Sequence, residues 1–224
     1  MNNQPIIIQL ESVGSTNDFA KKTYLESNNL EVPLLVTACE QTAGRGRYGK
    51  SFYSPRGGLY MSYAYDAGSK HYTEEQLLGL TTRVAEILLP ILQRHTSKEL
   101  FIKPVNDIYA LPESDVGSST GEGGVAASST GGSVTVRDEL PAGSRKIVGI
   151  LTERVDYPGN KGGYFIVIGI GINCFADSAC CEEVHGSHTP ANLPADLESI
   201  VGYLEPDCSI GDLTTEIVLA LAQV

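Results

Sequence analysis

The residues best suited to chemistry stand close together between Glu40 and Lys50, where three glycines alternate with two arginines ahead of the lysine. Arginine presents a planar fork of donors that fits a phosphate or a carboxylate, and glycine lets the backbone pass close to a ligand. The apolar run 33–38 predicts a buried strand, and ligand loops commonly follow strand ends in open α/β sheets. The segment fits neither the Walker nor the G-x-G-x-x-G pattern. It indicates an anion-binding loop, and the residues alone leave open a solvated basic turn or a nucleic-acid contact.

Four further polar groups stand at the predicted ends of strands and helices. Residues 15–17 (Ser-Thr-Asn) follow a short apolar run and can cap a helix. Asn106 and Asp107 have the composition of an Asx turn between two strands. Lys146 opens an apolar segment, where a lysine is commonly a gatekeeper of a strand edge. Asn173 ends the apolar run 164–172, which predicts a central strand buried on both faces.

Hydrophobic patterning predicts the elements that must position these residues. Residues 73–76 form a capping box, which begins a helix with apolar residues at helical spacing up to Ile91. Residues 112–144 are rich in Gly, Ser and Thr and can bury little apolar area, so we expect a disordered insertion whose removal costs little stability. Further strands are predicted at 5–10, 59–65, 100–103 and 147–153, with helices after Ser15, within 191–203 and from Asp212.

Composition limits the classes of function. A formal charge of −11 disfavours a nucleic-acid partner, which normally requires a basic surface. Five cysteines without regular spacing give no disulfide framework, and no apolar stretch reaches membrane-spanning length. We expect one domain over 1–224, without a signal peptide, in the reducing cytoplasm. Cys180, Cys181, His185 and His188 fit no standard zinc spacing, so no metal site is predicted.

The chain resembles the catalytic domain of biotin protein ligases through five blocks in the family's order. The Gly-Arg-Gly-Arg sequence at 44–47 resembles the family's biotin-binding loop. The other blocks are Ser15-Thr16-Asn17, the 103–107 segment that resembles Lys-Trp-Pro-Asn-Asp, the 145–151 segment that resembles Arg-Lys-x-x-Gly-Ile-Leu, and the 168–173 segment that resembles Ile-Gly-x-Gly-Ile-Asn. The resemblance covers about Ile8 to Ala176. It implies an α/β (α+β) fold with a mixed β-sheet backed by helices.

The resemblance implies an enzyme that joins biotin to a lysine of a biotin carboxyl-carrier domain through biotinyl-5′-AMP. Its substrates would be biotin and ATP with Mg²⁺, without a tightly bound cofactor, and its partner a biotin-dependent carboxylase. A homodimer is possible, and neither nucleic acid nor membrane is an expected partner. The chain resembles the monofunctional type, which has no N-terminal DNA-binding domain. We expect the small C-terminal β-barrel of full-length family members to be absent.

The resemblance also assigns roles to individual residues. Catalytic roles are implied for Lys146, Arg45 and Asp107. Biotin binding is implied for Ser15, Thr16, Asn17, Gln41, Gly44, Arg45, Gly46, Arg47, Lys146 and Gly149. Nucleotide binding is implied for Arg45, Arg47, Asn106, Asp107, Lys146 and Asn173.

The sequence departs from the family at Pro104 and Val105, which replace the usual Trp-Pro pair. Loss of the large ring could loosen a pocket, which keeps open a catalytically weak or truncated biotin-binding paralogue. A lipoate ligase or octanoyl transferase of the same fold is the other alternative. Its members carry a different glycine-and-arginine signature, which this sequence lacks.

Overall fold

Seven strands form one mixed sheet in the order β1-β2-β3-β7-β6-β5-β4. The computed structural model describes residues 4–27, 30–67, 72–112, 134–159, 163–174 and 201–223. β1 is parallel to β2, whereas β2 with β3, β4 with β5 and β5 with β6 are antiparallel. The strands are β1 Ile6–Val13, β2 Leu34–Gln41, β3 Leu59–Asp66, β4 Leu100–Lys103, β5 Asp107–Ala110, β6 Arg145–Asp156 and β7 Tyr164–Ile172. The helices in these ranges are α1 Thr16–Glu26, α2 Glu74–Arg94 and α3 Ile210–Leu221, with a 3₁₀ turn at Arg47–Gly49.

The chain divides into two units, of which the first comprises residues 1–81 and 150–171. Its helix α1 begins at Thr16 because the Ser15 side chain accepts a hydrogen bond from the backbone N–H of Asp18. Ala20 and Tyr24 of α1 pack into a buried core with apolar residues of β2, β3 and β7. The Tyr24 ring stacks on Phe165, with 4.6 Å between the ring centroids. This packing fixes the start of α1 relative to the strand ends.

The second unit comprises residues 82–149 and 172–224. Its β5 pairs with β6 in a register that places Asp107 opposite Gly149 and, after an irregularity at Ile108 and Tyr109, Tyr109 opposite Lys146. The helix α3 begins at Ile210, because Ser209 caps it by accepting a hydrogen bond from Asp212 N. The sequence-based start at Asp212 was therefore slightly late.

Part of the predicted disordered insertion is ordered. Ile102 N donates to Thr135 O (2.9 Å), and Arg137 N donates to Ile102 O (2.9 Å), so residues 135–137 extend the edge of the sheet beside β4. The Arg137 guanidinium also lies over the Phe101 ring, at 5.5 Å from its centroid. The prediction of disorder is wrong for 134–144, because backbone pairing with β4 does not require apolar side chains. Residues 113–133, residues 191–200 of the segment predicted to contain a helix and the four Cys and His residues at 180–188 lie outside the described residues. Residues 201–203 of that segment are described and are not helical.

Within the described ranges, no helix combines the length and apolar character needed to cross a membrane.

Candidate active site

The polar block Ser15-Thr16-Asn17 is almost completely buried at the start of α1. Relative exposures are 5%, 3% and 4%, although all three side chains are polar. Buried polar groups are costly unless they are hydrogen-bonded. Each of the three has hydrogen-bond partners within the first unit, so the block does more than cap the helix.

Gln41, at the end of β2, accepts hydrogen bonds from both donors of Thr16, its backbone N–H and its hydroxyl. Gln41 Oε1 accepts from Thr16 N (2.8 Å) and from Thr16 Oγ1 (3.0 Å). Gln41 Nε2 donates to Ser54 Oγ (2.9 Å), which fixes which way the amide faces. Ser62 of β3 lies with its Oγ 2.8 Å from Thr16 Oγ1. The result is a connected polar network that links β2, β3 and α1.

Asn17 is oriented by partners from three strands. Its Nδ2 donates to Glu153 Oε2 (2.7 Å), and its Oδ1 accepts from Ser62 Oγ (2.6 Å). Gly169 of β7 leaves room for this side chain, because a Cβ at that position would lie 2.8 Å from Asn17 Cγ. Asn17 is thus held in one orientation with both ends of its amide engaged.

The Gly-Arg loop is a closed turn with short backbone bonds across its base. Gly46 N donates to Lys50 O (2.6 Å), and Phe52 N donates to Gly44 O (2.9 Å). Gly44 is buried, and a Cβ there would meet Ser54 Oγ at 2.6 Å, so a side chain does not fit. Tyr48 at the tip has a positive φ of 57° and a relative exposure of 87%. The base is therefore tightly packed and the tip lies in solvent.

A chain of ion pairs connects the loop to the buried block. Arg45 Nε lies 2.6 Å from Asp18 Oδ2, Lys21 Nζ lies 2.8 Å from Asp18 Oδ1, and Lys21 Nζ lies 2.9 Å from Glu153 Oε1. Burial by itself lowers the pKa of Lys21, but hydrogen bonds to Asp18 and Glu153 outweigh it, so the pKa lies above its ordinary value. Arg45 is more than half exposed, so its pairing with Asp18 is open to competition from an anionic ligand.

In the second unit, Lys146 forms an ion pair with Asp107. Lys146 Nζ lies 2.8 Å from Asp107 Oδ1, and both side chains retain about a fifth of their exposure, at 23% and 21%. Asn106 Nδ2 donates to the same carboxylate oxygen (2.9 Å). Three residues from two sequence blocks, which lie almost forty positions apart, therefore meet around one carboxylate.

Asn173 supports the strand that carries Lys146. Its Nδ2 donates to Lys146 O (3.2 Å), and its backbone N donates to Ile147 O (3.0 Å). The Asn173 side chain is buried at 7% relative exposure. Gly149 lies opposite Asp107 in the β5–β6 register. Asn173 and Gly149 are thus grouped with Lys146 in the second unit.

The predicted site residues fall into two groups, one in each unit. Ser62, Ser54, Asp18, Lys21 and Glu153 complete the first group, and sequence reasoning did not find them. The signal that was available is weak: Ser62 is a single polar residue within the buried strand β3, and Glu153 ends an apolar run.

Residues 10–173 match the Biotin/lipoate A/B protein ligase family. The chain belongs to that family. The match spans both groups of candidate residues, from the block at the start of α1 to Asn173.

Solved ligase structures share the fold. A biotin protein ligase from Aquifex aeolicus in complex with biotin and ATP is 19% identical, with a TM-score of 0.56 over 97% of this chain and 69% of that one. The Leishmania major enzyme in complex with biotinyl-5-AMP is 23% identical, with a TM-score of 0.53 over 97% and 74%. The biotin acetyl coenzyme A carboxylase synthetase from Helicobacter pylori with bound biotinylated ATP is 18% identical, with a TM-score of 0.56 over 98% and 75%. These values establish the ligase fold of the chain.

Proposed function

We propose that this protein joins biotin to a lysine of a biotin carboxyl-carrier domain, with ATP as the energy source and biotinyl-5′-AMP as the intermediate. The observation that carries the proposal is the polar network at the start of α1, in which buried Thr16, Asn17 and Ser62 are joined to the half-buried Gln41. The buried Ser15 caps the helix beside it. A hydrogen-bonded network of buried polar groups holds its side chains in one arrangement, and hydroxyl and amide groups held in this way are suited to exchange hydrogen bonds with a polar ligand.

The chemistry of this network favours biotin over lipoate. The ureido ring of biotin offers one carbonyl acceptor and two N–H donors, which can exchange hydrogen bonds with hydroxyl and amide groups. The dithiolane ring of lipoate offers only sulfur atoms, which are weak acceptors. A site built to hydrogen-bond its substrate discriminates strongly against an analogue that lacks those groups, because its own polar groups are then left unpaired.

The first half-reaction requires two anions to meet. A carboxylate oxygen of biotin attacks the α-phosphorus of MgATP, forms the mixed anhydride and expels pyrophosphate. Lys146 neutralises charge that develops at the phosphoryl group, and such preorganised charge is a large contributor to catalysis. We assign Arg45 and Arg47 to the ligand's carboxylate and phosphate oxygens. Arg45 exchanges its ion pair with Asp18 for a pair with the ligand.

The second half-reaction transfers biotin to an amine. The neutral ε-amine of the acceptor lysine attacks the acyl carbon, a new amide bond forms and AMP leaves with the bonding electron pair. Asp107 is the group we assign to orient the amine or accept its proton, because its carboxylate is partly exposed. A loop whose base is tightly bonded and whose tip lies in solvent can close over the intermediate and exclude water.

The decisive experiment measures pyrophosphate release with biotin, lipoate and octanoate in parallel, followed by the mass of a carrier domain incubated with protein and ATP. We expect release only with biotin, and a mass gain equal to a biotinyl group. Pyrophosphate release with lipoate or octanoate would instead identify the protein as a lipoate or octanoate ligase of the same family. Tight biotin binding without pyrophosphate release would favour the binding paralogue, to which the Pro104-Val105 substitution points.

A matched pair of lysine variants tests the catalytic assignment. Lys146→Ala should lower kcat for adenylation by about 10²–10³-fold, the usual cost of removing one group that stabilises developing charge. Lys22→Ala removes a lysine that is 74% exposed on α1 and should leave the rate unchanged. Unchanged pyrophosphate release in Lys146→Ala would remove this residue from the mechanism.

A further inference from the structure

A second cluster of chemically capable side chains lies in the second unit, where residues just past the end of α2 meet the segment before α3. His95, Asp207 and Cys208 each offer one donor atom, and these atoms all lie within 4.8 Å of one another. Among the described residues, this is the one group of three His, Cys, Asp or Glu side chains gathered so closely. The proposed ligase chemistry does not use any of the three.

The spacing is close to what a small divalent cation requires. The His95 Nδ1 and Asp207 Oδ1 atoms are 2.9 Å apart. A tetrahedral zinc ion with bonds of about 2.0–2.3 Å separates its ligand atoms by about 3.3–3.6 Å. Separations of up to 4.8 Å must therefore shrink by about 1.2–1.5 Å, and rotations about the side-chain bonds supply movements of this size.

Glu216 provides an independent indication, because it completes an arrangement typical of metal-bound histidine. His95 Nε2 lies 3.0 Å from Glu216 Oε1, so the ring nitrogen that faces away from Asp207 has a carboxylate partner. Glu216 is itself held by Arg94 Nη2 at 2.7 Å. Metal-ligating histidines almost always donate their second ring N–H to a carboxylate or carbonyl, which fixes the ring and raises its basicity.

The backbone that carries the cluster is already tied together. Asp207 N donates to His95 O (3.0 Å), Thr96 Oγ1 donates to Leu204 O (2.8 Å), and Lys98 Nζ donates to Tyr203 O (2.6 Å). Binding an ion would therefore order few additional groups. Sites supported in this way keep their ligands within the narrow range that coordination demands.

We propose that His95, Asp207 and Cys208 bind a zinc ion, with His95 coordinating through Nδ1 and water in the remaining position. The donor set of imidazole, thiolate and carboxylate suits Zn²⁺ and disfavours Mg²⁺ and Ca²⁺, which prefer oxygen alone. Binding displaces the proton on His95 Nδ1 that is shared with Asp207, releases the thiol proton of Cys208, and leaves the His95 Nε2–H donating to Glu216. The ion joins the end of α2 to the start of α3 as a structural crosslink within the second unit.

Proton competition sets the conditions of the test. The hydrogen bond from His95 to Asp207 raises the pKa of His95, and burial raises the pKa of Cys208. Both effects favour protonated ligands, so the measurement belongs at pH 8 on the full chain after dialysis against a chelator.

The experiment titrates the chelator-treated protein with Co²⁺, a spectroscopic substitute for Zn²⁺. We expect one equivalent to produce a thiolate-to-cobalt charge-transfer band in the near ultraviolet, and one equivalent of Zn²⁺ to abolish it. Cys208→Ser should lose the band. The double variant Cys180→Ser, Cys181→Ser is the matched control and should keep it.

A second variant separates coordination from simple packing. Glu216→Gln keeps the shape of the side chain but weakens the acceptor for His95 Nε2–H, and should lower Co²⁺ affinity about 10- to 100-fold while the band keeps its position. Absence of a charge-transfer band in the wild-type protein would overturn the proposal. So would a band that survives in Cys208→Ser or disappears in the Cys180, Cys181 double variant.

Discussion

Gly169→Ala is the sharpest test of the buried polar network, because it alters Asn17 without removing any of its partners. The added Cβ would lie closest to Asn17 Oδ1 and 2.8 Å from Asn17 Cγ, and no backbone atom is among its three nearest neighbours. The carboxamide must retreat by at least about 0.7 Å to reach ordinary carbon–carbon contact near 3.5 Å. The variant therefore acts on the orientation of Asn17 and leaves the course of β7 intact.

The expected losses of stability and of biotin affinity follow from the hydrogen bonds that Asn17 makes. A bond from an amide to a carboxylate, as from Asn17 Nδ2 to Glu153 Oε2 at 2.7 Å, is worth about 1.5–3 kcal/mol. Losing it should lower the Tm by about 3–12 °C in a chain of this size. If Asn17 also contacts biotin, the loss of one neutral hydrogen bond should weaken biotin binding about 2- to 10-fold.

Gly79→Ala is the matched control for the same chemical change. Gly79 lies within α2, is exposed, and has no atom within 4 Å of an added Cβ. Alanine is the better helix former, so this variant should gain about 0.5–1 kcal/mol of stability. Biotin affinity should not change, and the comparison separates a contact effect from the general effect of glycine replacement.

Calorimetric titration with biotin and thermal unfolding measure both quantities, and a double-mutant cycle with Asn17→Ala decides the mechanism. Once the carboxamide is absent, Gly169→Ala should have almost no further effect, because the atom it displaces is missing. An equal loss of stability and affinity in the Asn17→Ala background would refute the reasoning. Such additivity would mean that Gly169 matters for a reason other than Asn17.

Three further outcomes are expected. Arg45→Gly should still form adenylate but release it about ten- to a hundredfold faster, since a charge-assisted contact is worth about 1.5–3 kcal/mol; release at the wild-type rate from preloaded enzyme, without labelling of a bystander protein, would contradict this. Arg137→Pro removes the N–H that donates to Ile102 O and should cost about 1–3 kcal/mol of unfolding free energy, whereas Arg137→Ala keeps that bond; chemical denaturation that finds equal costs would rule out the edge pairing. The pKa of Lys21 is raised on folding, so its contribution to stability is complete below pH 10.5 and is lost as pH rises through the folded value. When the free energy of unfolding is measured against pH, Lys21→Met should remove this loss of stability at alkaline pH. An unchanged pH dependence would show that the ion pairs to Asp18 and Glu153 do not stabilise the fold.

The sequence by itself determined the features that depend on near neighbours along the chain. Ser15 caps α1 because a hydroxyl directly before a helix can reach the free N–H groups of its first turn. The alternation of glycine and arginine at 44–47 defines a loop of fixed chemistry, and the apolar run 164–172 defines a buried strand. In each case the period or spacing of a few residues carries the physical signal, so no tertiary information was needed.

Tertiary structure decided everything that depends on which strands lie side by side. Glu153 and Gly169 come to Asn17 only because residues 150–171, which contain most of β6 and β7, are assembled with α1 in the first unit. The pairing of residues 135–137 with β4 was hidden for another reason, since backbone hydrogen bonds leave little trace in side-chain composition. His95 and Cys208 are separated by more than a hundred residues, a distance at which spacing rules for metal ligands carry no information. Long-range contacts are set by the register and packing of whole elements, which many different sequences can satisfy.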